Sequence, residues 1–328
     1  MIQFAWQDKI QPFVFKTWLE NKGQGVKIAM LDTGVDLGHQ ALKHLDKPGY
    51  KFNVAAPSFD PANPLLAAGN DDVLDQHRKK GHGTQCVSVF SALAAGENHL
   101  FGLVPQAEVF ILKVNTLDNR FFLVKDFLRG LEAAVNLGVD IVVASIAYPF
   151  EDIDLEGIPA TEIDRVFGMV SAAGILLLSS LPNVEEDSAW AGLAKAHFPA
   201  FRPETVKVGA ISEAVFQTRK AEIDLTADIH FLVSDAIAPF CKIKNEYEES
   251  AVSSSYATYL AAGVAALYIA SIKNREKTTY KPRPQPDLLK GMSQKFVRLA
   301  EAAEWGGAVP VLYKTAAVNT GQVDGDDA

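Results

Sequence analysis

The sequence predicts an α/β fold, a three-layer sandwich with a mostly parallel central sheet. Two observations carry that expectation. Short runs of unbroken apolar residues recur along the chain, and the stretches between them space their apolar residues three and four apart. An unbroken apolar run marks a strand covered on both faces, and helices between such strands supply the crossovers that a parallel sheet needs.

The runs fall in order. "VKIAML", Val26 to Leu31, follows Gly23 and Gly25 and ends in the turn Asp32-Thr33-Gly34. "EVFILKV", Glu108 to Val114, precedes helical spacing at Phe127, Leu128, Leu131, Ala134 and Val135. "IVVAS", Ile141 to Ser145, leads to a helical stretch near Ile163 to Ala173; "ILLLSS", Ile175 to Ser180, and "VKVGAI", Val206 to Ile211, complete the set. "SSSYATYLAAGVAALYIA", Ser253 to Ala270, reads as a long helix. Its small residues, Ala257, Ala261, Ala262 and Gly263 among them, give a flank thin enough to lie deep in a core. Past residue 275 the chain turns polar and proline-rich, which predicts an exposed connection. Asp287 then caps a helix through Leu288, Leu289, Met292, Phe296, Leu299 and Ala302 that packs back on the domain. The acidic end, "NTGQVDGDDA", is expected to fray.

Composition excludes several functions. A formal charge of −9 with no Lys/Arg stripe argues against nucleic acid as a partner. Two cysteines, Cys86 and Cys241, are too few for a disulfide framework and are expected as reduced thiols. The first twenty residues lack the basic start, apolar stretch and small-residue cleavage site of a secretory signal. No apolar run is read as reaching the roughly eighteen residues of a membrane span, so a membrane is not an expected partner. Cytoplasm is the simplest address, and nothing in the sequence sets an oligomeric state.

Functional groups of an open parallel sheet gather at the carboxyl ends of its strands. Asp32 ends the first run. "GHGTQCVSV", residues 81 to 89, places His82 between two glycines at a helix start. The bland reading there is a helix capped by Thr84 with a solvent-facing histidine. With Asp32, another reading opens: a carboxylate can accept a hydrogen bond from a histidine ring, fix its tautomer and stabilise its cation. Ser255, opening the small-residue helix, supplies a nucleophile where backbone N–H groups favour a developing oxyanion.

Asp-Thr-Gly after a strand, His-Gly-Thr at a helix start and Ser-x-Ala-Thr opening a small-residue helix, in that order, resemble the subtilisin-like serine peptidases, the subtilases or peptidase S8 family. The resemblance covers about residues 5 to 270. It implies that Asp32 is the orienting acid, His82 the general base and Ser255 the nucleophile. It also implies that Asn183, after "ILLLSSLP", shares the oxyanion with the Ser255 N–H, and that Ser145, Ala147 and Pro182 line the substrate groove. The implied fold is subtilisin-like. Residues 1–275 would form the catalytic domain, 276–318 a linker and C-terminal helix on the same domain, and 319–328 a flexible acidic tail. The implied activity is serine endopeptidase cleavage of peptides or proteins through an acyl-enzyme. That chemistry requires no cofactor. Many members bind structural calcium, for which no ligand set is readable in this chain.

The chain also departs from the family pattern. Ser253-Ser254 stand where Gly-Thr is usual, Tyr259-Leu260 replace Pro-His, and Pro182 and Ala147 replace glycines. These departures favour the rival reading of a pseudopeptidase that binds extended peptides with little turnover. A nucleotide-binding α/β protein is disfavoured, because no glycine-rich phosphate loop follows the first strand. About thirty residues precede Asp32, so an intracellular-type member folding without a prosegment is expected.

Three further features are read as structural. Asp71, Asp72, Asp75 and His77 sit in a loop of mixed charge without metal-ligand spacing, expected to be solvated. Cys86, four residues past His82, is expected beneath it as a small buried hydrophobe. Asp36 and His39 are given a structural role, and His44, His99, His197 and His230 none.

Overall fold

The computed structural model describes residues 2–4, 17–66, 71–76, 80–93, 99–114, 123–149, 157–183, 197–211, 231–234, 237–251 and 253–292. Their strands, in chain order, are β1 (Ile2–Phe4), β2 (Lys27–Asp32), β3 (Lys51–Asn53), β4 (His99–Phe101), β5 (Glu108–Lys113), β6 (Ile141–Ala144), β7 (Tyr148–Pro149), β8 (Leu176–Ser180), β9 (His197–Phe198), β10 (Thr205–Ile211), β11 (Phe231–Ser234), β12 (Ile237–Lys242) and β13 (Glu246–Ala251). The main helices are α1 (His82–Ser91), α2 (Val124–Leu137), α3 (Ala160–Ala172) and α4 (Ser254–Glu276).

Seven strands form one sheet in the order β11-β10-β8-β6-β2-β5-β3, and every neighbouring pair is parallel. Each of the five apolar runs is a strand of it. Register explains why those runs are apolar throughout. Ile111, Met30, Val143, Leu178 and Val206 lie side by side across five strands, and all belong to the core shared with α1 and α4. One residue on, Leu112, Leu31 and Ala144 are aligned and face the opposite core, with α2 and α3. Alternate side chains thus enter two apolar layers, and neither face is left for polar residues.

α4 is the axis of one layer. Nearly every residue from Tyr256 to Ile272 is buried, which requires a helix apolar on all sides rather than along a stripe. Contrary to the sequence expectation, this helix is long and apolar enough to cross a bilayer, but 89% of its most apolar window is buried inside the protein. Residues 285–292 are helical, starting two residues before Asp287, and Leu288, Leu289 and Met292 join the α4 core. The remainder of that expected helix and the acidic tail lie outside the described residues.

Several strands do not follow from periodicity, among them the sheet strands β3 and β11 (Phe231–Ser234) and the hairpin β12–β13. β3 is three residues long at the sheet edge, and β12 and β13 form an antiparallel hairpin whose β13, "EYEESA", is too polar to read as a strand. Because β2 pairs with β5 on one side and β6 on the other, the chain reverses direction across the sheet at β2, and the crevice at its carboxyl end is where such sheets place their sites.

Candidate active site

Asp32 is the last residue of β2 and only 1% exposed. His82 is the first residue of α1, and the helix is close enough to the strand for a direct contact only because of its flanking glycines. Gly81, the N-cap, has φ +79, and a Cβ there would come within 2.3 Å of Ile243 Cγ2. A Cβ on Gly83 would lie 2.2 Å from the Gly34 carbonyl oxygen and 3.1 Å from Asp32 Oδ1. The first glycine supplies a left-handed turn and the second a close approach of backbones. His82 Nδ1 thereby reaches Asp32 Oδ1 at 2.7 Å. A carboxylate only accepts, so Nδ1 carries the proton and, in the neutral ring, Nε2 is the acceptor. Ser255 Oγ lies 3.1 Å from that Nε2.

The cap of α1 differs from the bland sequence reading. Thr84 is inside the helix, and Asp75 caps it from the preceding segment: Asp75 Oδ2 accepts from the Thr84 N–H and hydroxyl, both at 2.8 Å. Asp75 Oδ1 accepts from the Thr33 hydroxyl at 2.9 Å, and Thr33 Oγ1 in turn accepts from the Gly83 N–H at 2.9 Å. Asp75 is 1% exposed, so the expectation of a solvated loop fails for this residue, while Asp71 and Asp72 are exposed as expected. A carboxylate earns burial when its oxygens are filled by donors, and here three donors do so. His77 lies outside the described residues.

α4 brings the nucleophile candidate. Ser253 is its N-cap, with φ −97 and its hydroxyl accepting from the Tyr256 N–H at 3.3 Å, so the Cβ that replaces the family's glycine causes no backbone strain. Ser254 donates its N–H and hydroxyl to Asn183 Oδ1, at 2.9 and 2.8 Å. Tyr259, one turn beyond Ser255, donates its hydroxyl to Asp32 Oδ2 at 2.8 Å. Sequence reading registered Tyr259 only as a departure and missed this contact. Asn183 and Pro182 follow β8, while Ser145 and Ala147 follow the neighbouring β6, so both segments leave the sheet side by side. Ser179 Oγ donates to the Ile146 carbonyl at 2.9 Å and ties the two together. The Ser145 hydroxyl is buried with no hydrogen-bond partner among the described residues.

Burial alone would raise Asp32, but the charge of His82 and hydrogen bonds from His82, Thr33 and Tyr259 outweigh it and hold the carboxyl below its ordinary value. Burial also opposes a charged His82, and the facing Asp32 carboxylate outweighs that, raising the imidazole well above its usual range. Cys86 is buried beneath His82, its Sγ 3.8 Å from Nε2, and burial raises its thiol, which stays neutral. Both cysteines are free. Among the described residues, Asp32, His82 and Cys86 are the one cluster of such side chains whose ligand-type atoms all lie within 4.8 Å. The direct 2.7 Å hydrogen bond leaves no space for an ion between Asp32 and His82, and the set is not the oxygen cage that calcium takes. The arrangement can pass a proton from a serine hydroxyl to an imidazole whose cation a buried carboxylate stabilises.

The chain is similar to known proteins. Subtilisin BL of Lederbergia lenta is 26% identical over 250 residues, covering 75% of this chain and 76% of that protein. The major intracellular serine protease of Bacillus subtilis (strain 168) is 27% identical over 212 residues, 63% of this chain and 58% of the relative's length. The intracellular serine protease of Paenibacillus polymyxa is 27% identical over 215 residues, 64% of this chain and 58% of its own. Among solved structures, the prenylagaramide maturation protease PagA superposes with a TM-score of 0.57 at 20% identity, over 85% of this chain and 86% of that one, a likeness of fold. With residues 23–298 matching the subtilase family, across the whole seven-stranded sheet and the site at its carboxyl end, this chain belongs to the subtilases, a family of serine-type endopeptidases.

Proposed function

We propose that the protein hydrolyses peptide bonds through an acyl-enzyme, with Ser255 as nucleophile, His82 as general base and Asp32 as the acid that orients it. The observation that carries the reading is the continuous hydrogen-bonded path from Asp32 through His82 to Ser255, at 2.7 and 3.1 Å. Ser255 attacks the substrate carbonyl as its proton moves to His82 Nε2, and the same proton later goes to the leaving amine. The Ser255 N–H and Asn183 Nδ2 receive the oxyanion. Asn183 is oriented for this because the Ser254 backbone N–H can only donate, so Oδ1 must face it and the amide nitrogen must point away. No cofactor enters the chemistry.

The substrate is an extended peptide or protein, lined by Ser145, Ala147 and Pro182. Ala147 and Pro182 add bulk where the family has glycine, so small side chains before the scissile bond are favoured over aromatic ones. Profiling against a mixed peptide library checks this, and a dominant preference for Phe or Tyr at that position would count against it. Likeness to intracellular serine proteases supports a cytoplasmic address. Labelling with a fluorophosphonate probe tests the mechanism itself: Ser255 should react and Ser255→Ala should not. That substitution should reduce turnover by about a million-fold, the loss seen when the nucleophile is removed from subtilisin. A folded wild-type protein that binds peptides but never labels would be the pseudopeptidase instead.

A further inference from the structure

From the hydrogen bond between Tyr259 and the second oxygen of Asp32, we infer that Tyr259 is a positioning residue for the catalytic acid, holding the carboxylate from the helix that carries the nucleophile. The inference rests on the peptidase reading above for its kinetic consequence and on geometry alone for its placement.

Asp32 Oδ1 is filled by His82 Nδ1–H and the Thr33 N–H, each at 2.7 Å. Oδ2 receives the Tyr259 hydroxyl at 2.8 Å. Asp32 and Tyr259 are both buried, at 1% and 0% exposure, so water is no substitute donor. Tyr259 lies four residues past Ser255, on the same face of α4 one turn down. Its ring stacks on Phe90 of α1, centroids 5.3 Å apart and planes 11° from parallel. One side chain therefore joins the three elements whose spacing sets the site: β2 through Asp32, α1 through Phe90 and α4 through its own backbone.

The titratable groups facing this pair are His82 and Cys86 from α1 and Asp75 from the segment before it. Burial and the neighbouring Asp32 carboxylate keep the phenol protonated, so it remains a donor. It does two things. It fixes the rotation of the carboxylate, so that Oδ1 stays in line with Nδ1, and it draws charge onto Oδ2, which moderates the basicity that Asp32 imposes on His82. A tyrosine that merely filled the core would do neither.

The test is the pH dependence of fluorophosphonate labelling in wild type, Tyr259→Phe and Tyr268→Phe, the last a control on the same helix far from Asp32. Tyr259→Phe keeps the ring and its stack and should slow acylation on the order of tenfold, the lower range for a hydrogen bond to an ionised group. It should also move the pH limb upward. Site-specific replacement of Tyr259 by 3-fluorotyrosine, a stronger donor, should move the limb downward, and this variant tests the idea even where Tyr259→Phe does not fold. Limbs that coincide in wild type and the fluorotyrosine protein would overturn the assignment. If wild type does not label at all, the peptidase reading has failed, and the downfield His82 Nδ1–H resonance still decides the placement. It should shift in the fluorotyrosine protein, and an unchanged resonance would refute the contact.

Discussion

Asn183 Oδ1 accepts both the backbone N–H and the hydroxyl of Ser254, the residue before the nucleophile candidate, at 2.9 and 2.8 Å. The orientation of Asn183 is thus set by the start of α4 itself. Asn183→Ala should lower the turnover number about a hundred- to a thousand-fold, the range for removal of such a donor from subtilisin, with little change in KM. Ser254→Ala removes one of the two bonds and should cost much less, since the backbone N–H still holds Oδ1. Steady-state kinetics on both variants checks this, and equal losses would mean that the Ser254 hydroxyl, not the asparagine amide, matters to the chemistry.

Asp75 couples the turn after β2 to the start of α1 through Thr33 and Thr84. Asp75→Ala leaves three donors without their acceptor in a buried site, which should destabilise the fold by about 3 kcal/mol or more. Denaturant melts measure this. Activity should fall further than the folded fraction, because the same bonds set the approach of His82 to Asp32. A fall in activity matching the loss of folded protein would make Asp75 purely structural.

His82 is raised by Asp32 and must be neutral to act as a base, so kcat/KM should climb with pH along a limb above the ordinary histidine value of 6.5. The stability linkage has the opposite sense. A histidine raised in the fold contributes fully below 6.5, and that contribution fades as pH rises through the raised value. Asp32, held below 3.8, contributes above that value and loses its contribution as pH falls through its lowered one. The pair therefore stabilises the fold most between these limits, where His82 is protonated and activity is low. Asp32→Asn should drop the activity limb toward or below 6.5, and a limb unmoved by that change would exclude His82 as its source.

Two other histidines oppose stability in acid. His39 is fully buried, takes the Ala41 N–H on Nδ1 at 3.2 Å and donates Nε2–H to the Glu246 carbonyl at 3.0 Å, while burial lowers it. His44 is lowered to about 4, by burial and by Lys47. Both are lowered in the fold while the unfolded chain takes up protons below 6.5, so stability should fall as pH drops from there, for His44 down to about 4. Each contributes a slope of up to about 1.4 kcal/mol per pH unit within its window. His44→Gln should flatten the melting temperature across that range, and an equally steep fall in the variant would assign it elsewhere.

The sequence by itself determined the five inner strands of the sheet, but not its edge strands β3 and β11, and the identity of the residues at its carboxyl edge. A strand buried on both faces must be apolar at every position, and a helix start pressed against a strand end must use glycine, so "VKIAML" and "GHGT" are legible locally. Only the tertiary structure decided how those residues are held. Asp75 bonds Thr33 across 42 residues, Asn183 bonds Ser254 across 71, and Tyr259 bonds Asp32 across 227. No local period encodes such pairs. A carboxylate in a charged loop and a tyrosine in an apolar helix look like surface and core until folding brings their donors and acceptors together, because burial of a polar group is decided by the partner it meets and not by its neighbours in the chain.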